Sequence, residues 1–411
     1  MTPGELQDWL MLAYGAEKFR PGLERVGTFL APELAEVKKL DPKIVTVAGT
    51  NGKGETSYTL AAMARAAGVP FVLWTSPHIH SVCERFQNLA GAISSDELSE
   101  LLIEGEKLRQ RAGVGLSYYE ALWAAFVRWG LEQKASLWIL EVGLGGRYDA
   151  VNLLDAHVVG LCSISRDHQE FLGPRYDLIL GEKLGVVRPN STLISALELC
   201  YLRERARVGN ERSRDLFATG ALDSSLSFSE RNRILASELW LALGYAAQEL
   251  PQGSLIARGE VLEWQGHRFT FYGSHNPDGV RKLVQFLRLS SYNRQKEFYH
   301  QVWAAFSERP QMDLRVMARM LATLGSENTC VRITRFEHLK AAGPAGWWGE
   351  SEGSHTQYFH DWTELFQLLA PHTDRSVLVV GSYYFVALVQ SHLLDRGATR
   401  SFLSGTTVSA R

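Results

Sequence analysis

The sequence predicts an α/β chain of two domains, each built on a mainly parallel sheet. First, 411 residues exceed what one hydrophobic core usually organises. Second, short apolar runs rich in β-branched residues alternate with longer amphipathic stretches, as in parallel sheets covered by helices. Third, the turn signal PQGS at 251–254 separates two such series, giving domains at 1–253 and 254–411.

The first domain opens with a helical, amphipathic stretch over 5–40. Ile44–Ala48 is a buried strand, followed by GTNGKGET. Gly49, Gly52 and Gly54 allow a tight turn that brings backbone N–H groups close to an anion, and Lys53 adds a positive charge. The helix over Tyr58–Ala67 points its positive end back at this turn. Together these features suit a polyphosphate; a glycine turn without a ligand is the alternative. The spacing differs from the common phosphate loop, because only Thr50 and Asn51 separate Gly49 from Gly52, and Gly54 and Glu55 follow Lys53.

Val69–Thr75 is the second strand and runs into SPHIHSVCERF, which places the Ser76 hydroxyl at a carboxyl end, where open α/β sheets bind ligands. Asp96–Arg111 is a polar-faced helix capped by Ser95 or Asp96. The aromatic-rich helix LSYYEALWAAFVRWGLEQ reads as core. Leu137–Val142 is a strand ending in Glu141 and a second glycine turn; an acid there suits Mg²⁺, which prefers hard oxygens and phosphates. Val158–Ile164 leads to SRDHQEFLG, where His168 is either a helix-start histidine or a ligand. Lys183, in LGEKLGVVRP, reads from spacing alone as an exposed helical lysine. Thr192–Ser195 is a strand, and the charges of LRERARVGNERSRD read as a solvated face. Asn232 lies near the start of a helix over Glu230–Gln248.

In the second domain, strands are predicted at Val261–Trp264, Arg268–Tyr272, Glu297–Ala305, Thr329–Arg335 and Ser376–Val380. Helices are predicted at Asp278–Leu289, Asp313–Leu324, Trp362–Leu369 and Tyr383–Leu394. Residues 340–355 form a Gly-rich loop in which Trp347 and Trp348 have no assigned role. Disorder is expected from Ala398 on.

The bulk composition narrows the function. Hydrophobic content of 45% and charged content of 21% are those of an ordinary soluble protein. A formal charge of −2 argues against a broad nucleic-acid surface but leaves room for a local anion pocket. The four cysteines form no C-x-x-C pair, which points to a reduced, cytoplasmic setting. MTPGELQDWL is not a secretory signal, and the longest apolar stretch, Ser376–Gln390, is too short to span a bilayer, so no membrane partner is expected.

Several strings together resemble the folylpolyglutamate synthase / dihydrofolate synthase family of the Mur-ligase superfamily. They are GTNGKG, TSPH followed by ER, EVGLGGRYDAVN, DHQEFLG, ARGEV, GSHNPDG and GSYY. The resemblance runs from roughly Pro21 to Val386. It implies an N-terminal P-loop-type ATPase domain with a mainly parallel sheet and a smaller C-terminal α/β Rossmann-like domain. It also implies an ATP-dependent ligase that adds L-glutamate to a folate-type carboxylate, dihydropteroate or tetrahydrofolate, through an acyl phosphate.

By the same resemblance, Gly49, Thr50, Asn51, Gly52, Lys53, Gly54, Thr56, Asn232, Arg258 and Tyr272 bind ATP. Ser76 and Glu141 hold one Mg²⁺; His168 and Lys183, carboxylated by CO₂, hold a second. Lys53, Glu141, His168 and Lys183 are the catalytic set. Leu23, Glu24, Arg25, Ser117, Tyr118, Tyr119, Glu120, Tyr148, Asp149 and Ala150 meet the pterin substrate, although spacing alone reads Glu24 and Arg25 as a solvated helix-start pair. His275 and Ser382 meet glutamate, and a monomer is implied.

Three positions depart from the family pattern. Glu55 stands where a small Ser or Thr is usual, Val151 replaces a Thr, and Tyr272 replaces an Asp that holds the ribose. A ligase with another acceptor or amino acid, and a nucleotide-binding relative without catalysis, are the competing readings.

Overall fold

The structure, a computed structural model, describes residues 1–17, 20–250, 257–292, 299–338, 341–342, 355–369 and 375–401. It comprises two compact units, Met1–Pro251 and Gln252–Arg411. The PQGS turn and Trp347 and Trp348 lie outside the described residues.

The first unit contains β1 (Lys43–Ala48), β2 (Phe71–Trp74), β3 (Phe86–Asn88), β4 (Gly91–Ala92), β5 (Leu137–Glu141), β6 (Val158–Leu161), β7 (Thr192–Ser195) and β8 (Ser213–Asp215). They form one sheet in the order β4-β3-β2-β5-β1-β6-β7-β8. All pairings from β2 to β8 across the sheet are parallel, and β3 and β4 add an antiparallel margin. Its helices are α1 (Pro3–Tyr14), α2 (Glu24–Phe29), α3 (Ala31–Leu40), α4 (Lys53–Ala66), α5 (Ser95–Ala112), α6 (Tyr118–Glu132), α7 (Gln169–Leu172), α8 (Tyr176–Lys183), α9 (Cys200–Arg207) and α10 (Phe228–Ala242).

The period-2 side-chain alternation of a strand sorts β1 between two cores. Ile44 and Ala48 join the core built with α1, α3, α5 and α6. Val45 and Val47 join the one built with α4 and α10. The aromatic helix α6 is core, as its composition suggested: Trp123, Phe126 and Trp129 are fully buried. Trp74 meets Trp123 with ring centroids 5.5 Å apart, edge to face, an arrangement aromatic quadrupoles favour.

Some local expectations give way. The stretch 5–40 divides into α1, α2 and α3, the first break falling at Gly15, whose φ of +74° ends α1. Helix α4 begins at Lys53 rather than Tyr58. Its first turns are polar in sequence yet buried at Glu55, Thr56 and Ser57. The charged stretch expected to be a solvated face is α9 followed by β8. Leu202 and Ala206 anchor α9 in the core, and Arg203 pairs with Asp215 at 3.3 Å, while Glu204, Arg205, Arg207, Glu211, Arg212 and Arg214 are exposed, as a solvated face should be.

The second unit contains β9 (Arg258–Trp264), β10 (His267–Tyr272), β11 (Gln301–Ala305), β12 (Cys330–Ile333), β13 (Thr356–Tyr358), β14 (Arg375–Gly381) and β15 (Thr399–Ser401). The order is β13-β12-β11-β14-β10-β9-β15. Helices α11 (Pro277–Tyr292), α12 (Gln311–Ala322), α13 (Glu364–Gln367) and α14 (Tyr383–Leu394) accompany it. The expected disorder from Ala398 is corrected at Thr399–Ser401, which pair antiparallel with β9. Backbone pairing outweighs a Ser/Thr-rich composition there. Among the described residues, no helix is long and apolar enough to cross a membrane.

Candidate nucleotide and metal site

Strands β2, β5, β1 and β6 lie side by side and parallel, so their carboxyl ends share one edge. Four predicted site segments leave from that edge: the GTNGKG loop after β1, Thr75–Ser76 after β2, Glu141 at the tip of β5, and the SRDH loop after β6. This is the crevice in which open α/β sheets bind ligands.

The loop after β1 is held by its neighbour after β6. Thr50 N donates to Ser163 O at 2.7 Å, Asn51 N donates to Ser163 Oγ at 3.0 Å, and Ser165 N donates to Thr50 Oγ1 at 3.0 Å. The backbone approach is close at Gly49, where a Cβ would lie 3.0 Å from Cys162 Cβ and 3.1 Å from Ser163 N. Gly52 has a φ of +96°, and a Cβ on it would meet Asn232 Oδ1 at 2.4 Å. Only glycine suits that position. Lys53 Nζ donates to Thr50 O at 3.1 Å, which folds the ammonium back over the loop.

Glu55 does not face the loop. Its Oε1 accepts from Ser229 Oγ, and its Oε2 accepts from Asn232 Nδ2 at 2.7 Å. The carboxylate therefore turns toward α10 and away from the anion pocket, which removes the charge conflict that its place in the sequence suggested.

Glu141 is buried, and its Oε2 accepts from Thr75 Oγ1 and, at 3.2 Å, from Ser76 N. The Ser76 hydroxyl thus belongs to the residue seated on the Glu141 carboxylate. Lys183 is not an exposed helical lysine. It is 4% exposed at the end of α8, and its Nζ donates to Gly49 O at 2.9 Å, beneath the phosphate loop. Burial first, then the nearby charge of Lys53, bring its amine down to about 7 against the pull of Asp167. The second glycine turn seats α8: a Cβ on Gly146 would lie 2.9 Å from Glu182 O and Lys183 O.

His168, unlike Glu141 and Lys183, is not buried. It is half-exposed with a φ of +50° at the start of α7, and its Nδ1 lies 3.8 Å from Glu170 Oε1. Among the described residues, no three His, Cys, Asp or Glu side chains gather closely enough to hold a metal alone. The buried Glu141 carboxylate at the Thr75–Ser76 strand end nevertheless fits a hard divalent cation whose remaining ligands are phosphate and water oxygens.

The residues expected at the pterin separate into a scaffold and an exposed part. Asp149 is buried, and its oxygens accept from Gly143 N at 2.9 Å, Leu144 N at 3.0 Å, Val151 N at 3.1 Å and Tyr119 OH at 3.0 Å. Burial nevertheless raises its carboxyl above the usual range, the hydrogen bonds opposing the shift. Ser117 and Glu120 form the capping box of α6, and Glu120 also accepts from Arg25 Nη2 at 2.8 Å, so Arg25 is not a solvated partner of Glu24. Tyr118 OH donates to Gln7 Oε1 at 2.9 Å, toward α1. Ala150 is buried, Leu23 precedes Glu24 at the start of α2, and Tyr148 is exposed. Val151, in place of a Thr, is fully buried, which suits an apolar side chain.

In the second unit, Arg258, His275 and Ser382 surround Tyr383. Arg258 Nη2 donates to Tyr383 OH at 3.4 Å, and the His275 ring centroid lies 5.1 Å from that of Tyr383. Ser382 caps α14, and its Oγ lies 2.7 Å from Ser307 Oγ. Tyr272 ends β10, opposite Arg258 of β9.

The chain is similar to known proteins. The dihydrofolate synthase/folylpolyglutamate synthase of Bacillus subtilis is 25% identical over 436 residues, covering 94% of this chain and 99% of that protein. The Escherichia coli protein of the same name is 37% identical over 178 residues, which is 42% of this chain and 40% of that protein. The Yersinia pestis bifunctional folylpolyglutamate synthase/dihydrofolate synthase, solved with AMPPNP and a Mn ion, superposes with a TM-score of 0.75 at 26% identity, covering 95% of this chain and 98% of that one. The chain is thus similar, along almost its whole length, to dihydrofolate synthase/folylpolyglutamate synthases. No protein-family model matches the sequence.

The family strings nominate most residues of the candidate site, but not the braces of its loop. Ser163, Ser165 and Ser229 carry no motif, and small hydroxyl residues near a strand end or helix start are too common to single out. The one available signal was placement: Ser163 and Ser165 follow a core strand that abuts the loop strand.

Proposed function

We propose that the protein is an ATP-dependent ligase that joins L-glutamate to a folate-type carboxylate through an acyl phosphate. The observation that carries this reading is the buried Lys183 amine, hydrogen-bonded at 2.9 Å to Gly49 O under a lysine-bearing phosphate loop. Similarity to dihydrofolate synthase/folylpolyglutamate synthases and the carboxylate at the next strand tip support it.

A carboxylate resists amines because its oxide is a poor leaving group. Transfer of the γ-phosphoryl group to it creates a phosphate leaving group, and the glutamate amine then displaces that phosphate to form the amide. The loop N–H groups and Lys53 would stabilise charge on the β- and γ-phosphates. Ser76 and Glu141 would hold one divalent ion, and His168 with carboxylated Lys183 a second; bound there, such ions lower the repulsion between phosphate and acceptor carboxylate. A lysine lowered to about 7 holds a large uncharged fraction at neutral pH. That amine can attack CO₂ and release a proton to form a carbamate.

Thr50, Asn51, Gly54 and Thr56 complete the proposed nucleotide contacts, with Asn232 beneath the loop. We assign Tyr148 to direct acceptor contact, and Asp149, Tyr119, Glu120 and Ser117 to shaping the wall behind it. Arg258 and Tyr272 keep the nucleotide roles implied by resemblance, and His275 and Ser382 the glutamate roles. ATP, a divalent cation and small-molecule substrates are thus the proposed requirements.

The test is phosphate release from ATP with Mg²⁺ and glutamate, supplying dihydropteroate and tetrahydrofolate separately. Turnover with either supports the proposal and fixes the acceptor. ATP binding without turnover on either acceptor overturns it.

A further inference from the structure

From the contacts of Glu55 we infer that this residue positions the nucleotide loop, latching the start of α4 to α10 and holding the Asn232 carboxamide against Gly52. The inference rests on the nucleotide-binding reading of the loop and extends it to a side chain that neither the phosphate-loop pattern nor the family pattern supplies.

Glu55 lies in the first turn of α4, two residues after Lys53, and is 7% exposed. Burying a carboxylate is costly unless its oxygens are satisfied. Here both are: Oε1 by Ser229 Oγ and Oε2 by Asn232 Nδ2 at 2.7 Å. Ser229 and Asn232 both lie in the first turns of α10. The carboxylate thus sits where the positive ends of two helices, α4 and α10, converge, the place where a helix field favours an anion.

The chemistry of the acceptor fixes the carboxamide. An ionised carboxylate can only accept, so Asn232 must turn its Nδ2 toward Glu55. Its Oδ1 then faces Gly52, where it occupies the space a Cβ would need, 2.4 Å from that position. Thr56 Oγ1 adds a contact to Asn232 O at 3.5 Å. A Ser or Thr at position 55 would be too short to bridge to α10 in this way. The loop is therefore braced from two sides, by Ser163 and Ser165 along the sheet and by Glu55 through Asn232 from below.

This role and a simple charge role predict opposite signs. If Glu55 acted on nucleotide mainly as a nearby negative charge, Glu55→Gln and Glu55→Ala would both tighten ATP. As a latch, Glu55→Ala releases Asn232 and loosens the loop. KM for ATP should then rise about tenfold with kcat changed less than about twofold, the loss expected for a charge-assisted hydrogen bond. Glu55→Gln keeps an acceptor for Asn232 Nδ2 and should recover most of the affinity.

The experiment measures ATP affinity by titration, KM and kcat by phosphate release, and thermal unfolding, on wild type, Glu55→Ala, Glu55→Gln and Asn232→Ala. A double variant closes the cycle, and coupling between Glu55→Ala and Asn232→Ala is expected. Unchanged or tighter ATP binding in Glu55→Ala, or strictly additive effects, overturns the latch while wild-type binding leaves the nucleotide reading intact. Failure of wild type to bind ATP overturns both. Should Glu55→Ala not fold, failure of Glu55→Gln to bind ATP like wild type while folding normally overturns the latch, and wild-type affinity in Glu55→Gln with coupled loss in Asn232→Ala supports it.

Discussion

Replacing Lys183 by Met should make the metal-free, CO₂-free protein more stable at low pH than at high pH relative to wild type. Met keeps the length of the buried stem and removes the ammonium. In the folded chain the amine falls from 10.5 to about 7. At about 1.4 kcal/mol per pH unit, keeping the proton on Lys183 costs the folded state about 5 kcal/mol. Below pH 7 both folded and unfolded chains carry that proton, and the cost is fully present. Between pH 7 and 10.5 the unfolded chain holds the proton and the folded chain does not, so wild-type stability rises with pH. From pH 7 to pH 9, wild type should therefore gain about 2 kcal/mol on Lys183→Met, the folded amine being already half deprotonated at pH 7. The loss of the Nζ bond to Gly49 O offsets Met's advantage by about 1 kcal/mol at every pH, without altering this slope. Urea unfolding of both proteins at pH 6, 7, 8 and 9, with chelator and without bicarbonate, gives the difference directly. A difference that stays constant across that range would refute the premise that Lys183 is buried and desolvated.

Gly52→Ala should weaken ATP binding at least about tenfold, because a side chain at φ +96° is strained and its Cβ would collide with Asn232; nucleotide titration measures it, and wild-type affinity would contradict the contact. Asp149→Asn should cost about 1–3 kcal/mol in urea unfolding, since one amide end would present N–H to backbone N–H groups. Gly130→Ala, although favourable for helix propensity by up to about 1 kcal/mol, should lower stability overall by about 1–2 kcal/mol. A Cβ there would lie 2.6 Å from Trp138 Cη2, and that ring is fully buried; a rise in melting temperature would count against the packing.

The central frame was legible because its signals are dense. Ile44–Val47 is an uninterrupted β-branched run, and the loop after Ala48 concentrates three glycines and a lysine. Glu141 could be placed at a strand tip by counting along LWILEV. What the sequence hid was held by tertiary contact. The α4 start looked like loop because Gly54, Glu55, Thr56 and Ser57 have no apolar period, yet α10 buries them. Lys183 looked like a surface lysine, since its burial depends on Gly146 letting the second glycine turn pack against α8. The charged run before α10 is solvated for most of its charges, as its composition suggests, but the Arg214–Glu238 pair at 2.5 Å joins residues too distant in the chain to be foreseen.

The three-residue strand β15 has a consequence for how the far end of the chain can be altered. It caps the free margin of β9, matching Thr399 with Glu263, Arg400 with Leu262 and Ser401 with Val261. A polypeptide cut before Thr399 would leave those amides and carbonyls facing water, a template onto which a neighbouring molecule's strand could dock. Shortening the tail would thus trade solubility for self-association.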